Sequence, residues 1–222
     1  MFYAIDIDGT IANPEPGLIA CHDRDFGLGL TAEELNGTYT QFLHLPQIVT
    51  LSRDMLELSR QRARMTPDVV LSYEPLDYAR EALGLLAQRG EITYYTVRAA
   101  CVEEATHTWL QTNGFPFPQK VILCRSVLHK LVQLYTQERE TDRKIVLIDD
   151  RYQQIITDVA RLTAGEFAHI SAWQEIAQFT QDRLLLLAFG ASSLPASTNG
   201  LQVVPVSDWR QFSENDPFLL FR

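Results

Sequence analysis

The sequence has few cysteines, few lysines and no long apolar run, and these shortages exclude several classes of protein. Its three cysteines, Cys21, Cys101 and Cys124, lie far apart and match no metal-ligand spacing. An odd number of cysteines also makes no disulfide framework, which indicates a reducing compartment. The longest apolar run, residues 184–190, is far too short to span a bilayer, so no membrane partner is expected.

Basic residues are scarce as well, because 19 Lys and Arg face 28 Asp and Glu and leave a net charge of −9. This charge argues against binding a nucleic-acid polymer, whose phosphates the surface would repel. It remains compatible with a small phosphorylated ligand in a local site. The sequence opens without a basic region followed by an apolar stretch, so no secretory signal is expected and the expected location is cytoplasmic.

Apolar patterning in the 222 residues indicates one α/β domain with a modest insertion. Short β-rich runs alternate with helical patterns, which predicts a parallel sheet covered by helices on both faces. The expected fold class is therefore a three-layer sandwich with a Rossmann-like core. Predicted strands are residues 2–7, 92–97, 120–124, 144–148, 184–189 and 202–206, and predicted core helices are 76–88, 102–112, 126–137, 152–162 and 172–181.

Residues 13–73 interrupt this alternation and predict a small helical module, which leaves 1–12 and 74–222 as the α/β core. No strand is expected in the interruption. Within a helix predicted over residues 50–65, Arg53, Arg60 and Arg64 lie opposite an apolar stripe, which consists of Leu51, Met55 and Leu58. We interpret the three arginines as a solvated face, with Arg62 on the apolar side.

The strongest chemical signal is Asp6-Ile7-Asp8-Gly9-Thr10, directly after the first predicted strand. In open α/β sheets ligands bind at the carboxyl ends of the strands, where this segment lies. Two carboxylates one residue apart, followed by a glycine for a tight turn, suit a cation site with a second acid beside it. A plain surface turn would explain Asp8 and Gly9 but leaves Asp6 unexplained.

Other strand ends bring further polar groups to the same edge. Thr96 ends one strand and precedes Arg98, while Asp149 and Asp150 end another. The combination resembles the haloacid dehalogenase-like hydrolase superfamily, whose motifs are a DxDGT-type loop, a strand-end Thr or Ser, a Lys and an acidic pair. All four motifs can be placed in order over residues 6–150.

The motif lysine has few candidates, because the chain contains only Lys120, Lys130 and Lys144. Lys120 and Lys144 each open a predicted strand and should lie at the edge opposite the acids. Lys130 lies early in the helix after the third strand and matches the position of the family's lysine, although a solvated helix lysine is an alternative.

The resemblance implies a Mg²⁺-dependent phosphatase that acts on a small phosphorylated metabolite, such as a nucleotide or a sugar phosphate. Asp6 would be the nucleophile that forms an aspartyl-phosphate, and Asp8 the general acid and base. The remaining implied roles fall into three groups: Thr96 and Lys130 as catalytic partners of the phosphoryl group; Gly9, Thr10 and Arg98 as substrate-binding residues; and Asp6, Asp8 (through its carbonyl), Asp149 and Asp150 as metal ligands.

Three alternatives stay open at this point. A phosphomutase would use the same nucleophile, and a non-catalytic phosphate-binding or regulatory protein could keep the same fold. Arg98 could bind a substrate anion or pair with Glu103 or Glu104.

The helical module matches the position of the family's cap, which closes over the site and selects the substrate.

Overall fold

A six-stranded sheet, parallel throughout, forms the centre of the molecule. The computed structural model describes residues 1–193 and 197–214. In chain order its strands are β1 (Phe2–Ile5), β2 (Ala12–Asn13), β3 (Glu74–Pro75), β4 (Glu91–Thr96), β5 (Val121–Leu123), β6 (Ile145–Asp149), β7 (Leu184–Phe189) and β8 (Gln202–Val206). The sheet order is β5-β4-β1-β6-β7-β8, which places the first strand between β4 and β6.

Helices cover both faces of this sheet. In chain order the described helices, including those of the insertion, are α1 (Glu15–Phe26), α2 (Ala32–Leu35), α3 (Tyr39–Leu43), α4 (Pro46–Val49), α5 (Arg53–Arg64), α6 (Pro67–Leu71), α7 (Ala79–Ala87), α8 (Glu103–Thr112), α9 (Val127–Glu138), α10 (Tyr152–Thr163), α11 (Trp173–Arg183) and α12 (Arg210–Glu214), with a 3-10 turn at Ala100–Val102. None of the helices in the described ranges has the length and apolarity needed to cross a bilayer.

Successive side chains of β1 enter two different hydrophobic layers. Tyr3 and Ile5 pack with α7 and α8, whereas Phe2 and Ala4 pack with α9, α10 and α11. All four residues are buried, as expected for a parallel strand covered on both faces. The predicted three-layer α/β sandwich is confirmed.

Between β2 and β3 the chain forms the helices α1 to α6, and this segment is the helical insertion, which was predicted over residues 13–73. Local chemistry sets its helix ends, because Thr31 forms a capping box with Glu34 and a second capping box lies at Thr38. The antiparallel pairing of β2 with β3 brings the two ends of the insertion together. The prediction of no strand here was wrong for β2, since two residues are too short to show an alternating pattern.

The insertion has a small apolar cluster of its own and also shares the main core. Ile19, Phe42 and Ile48 form the separate cluster. Val70 and Tyr73 belong to the main core, and the Tyr73 carbonyl accepts a hydrogen bond from Trp109 Nε1 at 2.7 Å. The insertion is therefore anchored to one face of the sandwich as well as to the ends of β2 and β3.

At the other end of the chain, β7 and β8 extend the sheet with the predicted bounds. Between these two strands, the Ser, Ala and Gly content of residues 190–200 predicts a surface connection, and the structure describes this segment except for 194–196. Beyond β8, the buried Trp209 donates from Nε1 to the carbonyl of Thr10 at 2.6 Å. The C-terminal region thus supports the loop that follows β1.

Candidate active site

Strand register places the predicted motif residues at one edge of the sheet. Ile5 pairs with Tyr94 of β4 on one side and with Ile148 of β6 on the other. Asp6, the residue after Ile5, therefore lies beside Asp149 at the end of β6 and close to Thr96 at the end of β4. All three side chains are buried, so the carboxyl edge holds two desolvated carboxylates beside a hydroxyl.

Lys130 reaches this edge from the first turn of α9. Ser126 caps the helix by accepting a hydrogen bond from the His129 amide, and this cap fixes where the helix begins. The Lys130 ammonium donates to Asp6 Oδ1 at 2.7 Å and also to Asp149 Oδ2. Burial alone would lower the pKa of Lys130, but the charges of Asp149 and Asp6 outweigh it and raise that pKa.

The other two lysines lie where the sequence predicted, at the opposite edge of the sheet. Lys120 Nζ donates to Glu91 at the start of β4, at 2.6 Å. Lys144 Nζ donates to the carbonyl of Asp182 at 2.9 Å. Among the described residues, Lys130 is therefore the lysine that contacts the acids of the carboxyl edge.

Asp6, Asp149 and Asp150 form a cluster of carboxylates. One oxygen from each lies within 4.8 Å of the others. Burial raises the pKa of Asp6 to about 8, because Lys130 offsets only part of the cost and Asp149 and Asp150 add repulsion. Burial and the charge of Asp149 raise the pKa of Asp150 to about 6. Three acids thus share one lysine, and the site has a deficit of positive charge.

The donor set fits a hard divalent cation. Asp150 Oδ1 is buried and has no hydrogen-bond partner among the described residues, so a carboxylate oxygen is available to a ligand. Carboxylate oxygens are the ligands that Mg²⁺ prefers in proteins. Gly9 has a φ of +86°, and a Cβ at this position would collide with the Asp150 carboxylate. Glycine therefore permits the close approach of the loop to the acid cluster.

Thr10 lies beneath the loop and not on the cavity wall that a substrate would touch. Its side chain is fully buried, and its Oγ1 accepts a hydrogen bond from the Asp150 amide at 3.1 Å. Its carbonyl is the acceptor for Trp209. Thr10 therefore holds Asp150 in place, because the DxDGT turn points the threonine inward, and its role in substrate binding stays a prediction.

Arg98 pairs with Asp8, a partner that the sequence did not indicate. Its Nη2 donates to Asp8 Oδ1 at 2.6 Å, and its Nε lies 3.2 Å from both carboxylate oxygens. A further hydrogen bond joins Nη1 to Thr106, and the guanidinium lies over the rings of Tyr73 and Trp109. Neither Glu103 nor Glu104 is the ion-pair partner, and these contacts hold Arg98 against Asp8.

A cavity of about 580 Å³ opens above this edge. Predicted residues on its wall are Asp6, Asp8, Gly9, Thr96, Arg98 and Asp150. Lys130, Asp149 and Thr10 lie below this wall, in contact with the residues that form it. The structure thus brings the predicted residues into one assembly, with direct access to the cavity for six of them.

Two further wall residues, Arg60 and Arg64, come from the helical insertion. Their interpretation as part of a solvated face was wrong. Helix α5 buries its small residues Ser59 and Ala63, while Leu58, expected on the packed face, is 60% exposed.

The other arginines of α5 follow from the same packing. Met55 of the expected apolar stripe is 46% exposed, and Arg53 is exposed too. Arg62 is also exposed and lies 3.5 Å from Asp25, so it does not lie on an apolar face. The pair of small residues four positions apart, Ser59 and Ala63, was the signal that could have located the packed face.

No protein-family model matches the sequence, and no curated protein matches it. Solved structures share its architecture. A HAD-superfamily hydrolase of subfamily IA, variant 1, from Geobacter sulfurreducens matches 96% of this chain and 97% of its own, with a TM-score of 0.52 and 13% sequence identity. A haloacid dehalogenase-like hydrolase from Bacteroides fragilis matches 92% of this chain and 94% of its own, with a TM-score of 0.49 and 13% identity.

The match to the Geobacter protein establishes the fold. The chain has the α/β fold of the haloacid dehalogenase-like superfamily, and the predicted resemblance is confirmed at that level. At 13% identity the likeness carries no activity with it, so the chemistry has to be argued from the site.

Proposed function

We propose that this protein is a Mg²⁺-dependent phosphatase that hydrolyses a small phosphate monoester through an aspartyl-phosphate on Asp6. The observation that carries the proposal is the position of the Asp6 carboxylate. It is buried at the end of β1, bonded to Lys130, and forms part of the wall of a cavity of about 580 Å³. A buried acid with a strongly raised pKa on a cavity wall is typical of a functional site.

In the first step, an Asp6 carboxylate oxygen attacks phosphorus, and the bond from phosphorus to the ester oxygen breaks. The leaving alkoxide takes a proton from Asp8, which becomes a carboxylate. Asp8 transfers this proton from the carboxyl oxygen that Arg98 holds less tightly. Since its Oδ2 is held only by Nε at 3.2 Å, Oδ2 is the oxygen that we assign to proton transfer.

In the second step, water attacks the phosphorus of the aspartyl-phosphate and gives a proton to Asp8. The bond between phosphorus and the Asp6 oxygen breaks, inorganic phosphate leaves, and Asp6 returns as a carboxylate. Asp8 is then protonated again and ready for the next substrate, so the two steps balance.

Thr96 and Lys130 stabilise the phosphoryl oxygens in both steps. The transition state spreads negative charge over those oxygens. The Thr96 hydroxyl and the Lys130 ammonium stabilise that charge, and because both groups are already fixed beside Asp6 they do not have to reorganise during the reaction. Lys130 is already positioned by its contacts with Asp6 and Asp149. Gly9 allows the loop to stay close to Asp150.

The carboxylates of Asp6, Asp149 and Asp150, with the main-chain carbonyl of Asp8, would hold Mg²⁺, which supplies positive charge that lets an anionic nucleophile approach an anionic ester. Support comes from the unpartnered Asp150 Oδ1 and from the clustering of the three acids. The helical insertion supplies Tyr39 and two arginines to the cavity wall, which supports a role as a cap over the substrate.

The test is phosphate release from a panel of nucleotides, sugar phosphates and small esters, measured with Mg²⁺ and with chelator. We expect release from at least one ester, dependent on Mg²⁺ and lost in Asp6→Asn. Glu91→Gln, at the opposite edge of the sheet, is the matched control and should retain the activity.

Acid quenching during turnover of a ³²P-labelled ester should also trap label on the wild-type protein and none on Asp6→Asn. Phosphate release without any trapped label would contradict the covalent route. Mg²⁺ binding with no release from any ester would contradict the phosphatase and favour a phosphomutase or a phosphate-binding protein.

A further inference from the structure

Two arginines of the insertion face the cavity but have no part in the mechanism above. Arg60 and Arg64 lie four positions apart on α5, and both line the cavity that contains Asp6. Both are partly buried. Residues four apart share one face of a helix, so α5 presents the two guanidinium groups side by side.

Their hydrogen-bonding capacity is largely unused. Arg60 Nε is buried and has no hydrogen-bond partner among the described residues. The ion pair of Arg60 is a 3.6 Å contact with Glu57, whose side chain is half exposed. No hydrogen bond or ion pair to Arg64 occurs in the part of the chain that the structure describes. Burial and the neighbouring charge of Arg60 lower the pKa of Arg64, which shows that the two positive charges repel each other.

Two other cations of the site are matched by acids. Arg98 is neutralised by Asp8, and Lys130 lies between Asp6 and Asp149. Arg60 and Arg64 are therefore additional positive charges, and an anion would relieve the repulsion between them.

The two arginines have different neighbours on the cavity wall. Arg64 interacts electrostatically with Asp8, while the charge of Arg60 acts on His22 and Tyr39 of the insertion. Thr96 and Lys130 belong to the sheet edge and α9, so the arginines lie on a different wall from the groups assigned to the transferring phosphoryl. A cavity of about 580 Å³ suits a small metabolite whose second end reaches α5.

We propose that Arg60 and Arg64 bind a second anionic group, so that the substrate is a small phosphate ester that also carries a carboxylate or another phosphate. This inference rests on the proposed function for the identity of the first group. A planar, forked guanidinium pairs with carboxylate and phosphate alike, and the experiment below distinguishes these two sources.

The test is calorimetric titration of the full-length Asp6→Asn protein in Mg²⁺, where an ester can bind without turnover. The probes are two matched pairs: phosphoglycolate against 2-hydroxyethyl phosphate, and 1,3-propanediol bisphosphate against its monophosphate. We expect the second anion to tighten binding at least about tenfold in one pair, which also identifies the anion. Arg60→Gln and Arg64→Gln should each remove most of this preference, and Arg60→Lys should keep more of it than Arg60→Gln.

Arg53→Gln is the matched control, because Arg53 is an exposed arginine on the same helix, and it should leave both preferences unchanged. Equal affinity within both pairs would overturn the inference. An equal loss of affinity for both members of a pair in Arg60→Gln would also overturn the inference, because the arginines would then bind the phosphoryl group that is transferred. Phosphate release by the wild-type protein is measured separately. If no ester is hydrolysed but the preference for a second anion persists, the phosphatase proposal fails and the second-anion inference stands.

Discussion

The two edges of the central sheet are both rich in charge, but they use it in opposite ways. At the amino edge, Glu91 accepts hydrogen bonds from Lys120 at 2.6 Å and from Arg143 at 2.7 Å. These bonds lower the pKa of Glu91. At the carboxyl edge, burial raises the pKa of Asp6 to about 8 although Lys130 is in contact with it. One edge pairs its acids in partial contact with solvent, whereas the other desolvates more acids than it can neutralise.

This difference separates a structural cluster from a functional one. Paired, partly exposed charges stabilise a fold modestly and perturb no chemistry. A buried excess of one sign costs stability, and a protein retains it where a ligand supplies the missing charge. Variants at one edge can therefore be matched with variants at the other.

The largest effect is expected from Asp6→Asn. Asparagine cannot form the aspartyl-phosphate, so turnover should fall by a factor of at least about 10³ while the thermal unfolding transition persists. Phosphate release and thermal denaturation measure the two quantities. Glu91→Gln should keep the rate of phosphate release within about twofold because it removes only a solvated pair. Activity of Asp6→Asn near the wild-type level would show that the buried acids of the carboxyl edge are not the functional cluster.

Removal of the lysines should affect stability unequally. Lys130→Met leaves Asp6 and Asp149 without their buried cation, and we expect a loss of about 3–5 kcal/mol in the free energy of unfolding. Lys120→Met removes a partly exposed pair and should cost about 0–1 kcal/mol. Urea denaturation in chelator measures both. A Lys130→Met protein that folds only in Mg²⁺ would also show the large loss of stability. Equal losses of unfolding free energy in the two lysine variants would contradict the prediction.

Arginine-to-lysine changes should also act differently at the two edges. Lysine in place of Arg98 cannot donate to both Asp8 oxygens and Thr106 together, so kcat should fall about tenfold with KM nearly unchanged. Arg143→Lys should leave kcat unchanged and lower the melting temperature slightly. Steady-state kinetics separate the two constants, and a rise in KM alone for Arg98→Lys would indicate substrate binding by Arg98.

The smallest effect concerns pH. The lowered pKa of Glu91 means that its contribution to stability is present above the ordinary range of a glutamate and is lost as pH falls through the folded-state value. Unfolding free energy measured from pH 5 down to pH 3 should therefore fall less steeply in Glu91→Gln than in the wild type. Parallel curves would show that the pair contributes nothing measurable.

Much of the architecture was predictable from local patterns. Apolar runs located the strands, because a strand buried on both faces, such as β7, leaves a continuous apolar run in the sequence. The edge strand β8 is only partly buried, and its valines were enough to locate it. Asp6 and Asp149 could be assigned to one edge because parallel strands end together. Lys130 followed from its place early in α9 and from the small number of lysines.

The partner of Arg98 and the position of Thr10 were decided by tertiary contacts. Asp8 and Arg98 are 90 residues apart, and no spacing in the sequence joins them. Thr10 belongs to a motif, but its burial beneath Asp150 depends on contacts with Trp209 from the far end of the chain. Such contacts depend on how elements pack, which a local pattern does not encode.

Helix α5 shows the division most clearly. The sequence by itself determined that a helix forms there, because Ser52 caps it and its residues favour helix. Only the tertiary structure decided which face it buries. Packing on small side chains, Ser59 and Ala63, rotated the helix so that Arg60 and Arg64 face the cavity while apolar residues face solvent. Close approach between helices needs small residues at the contact, and that requirement outweighed the burial of larger apolar ones.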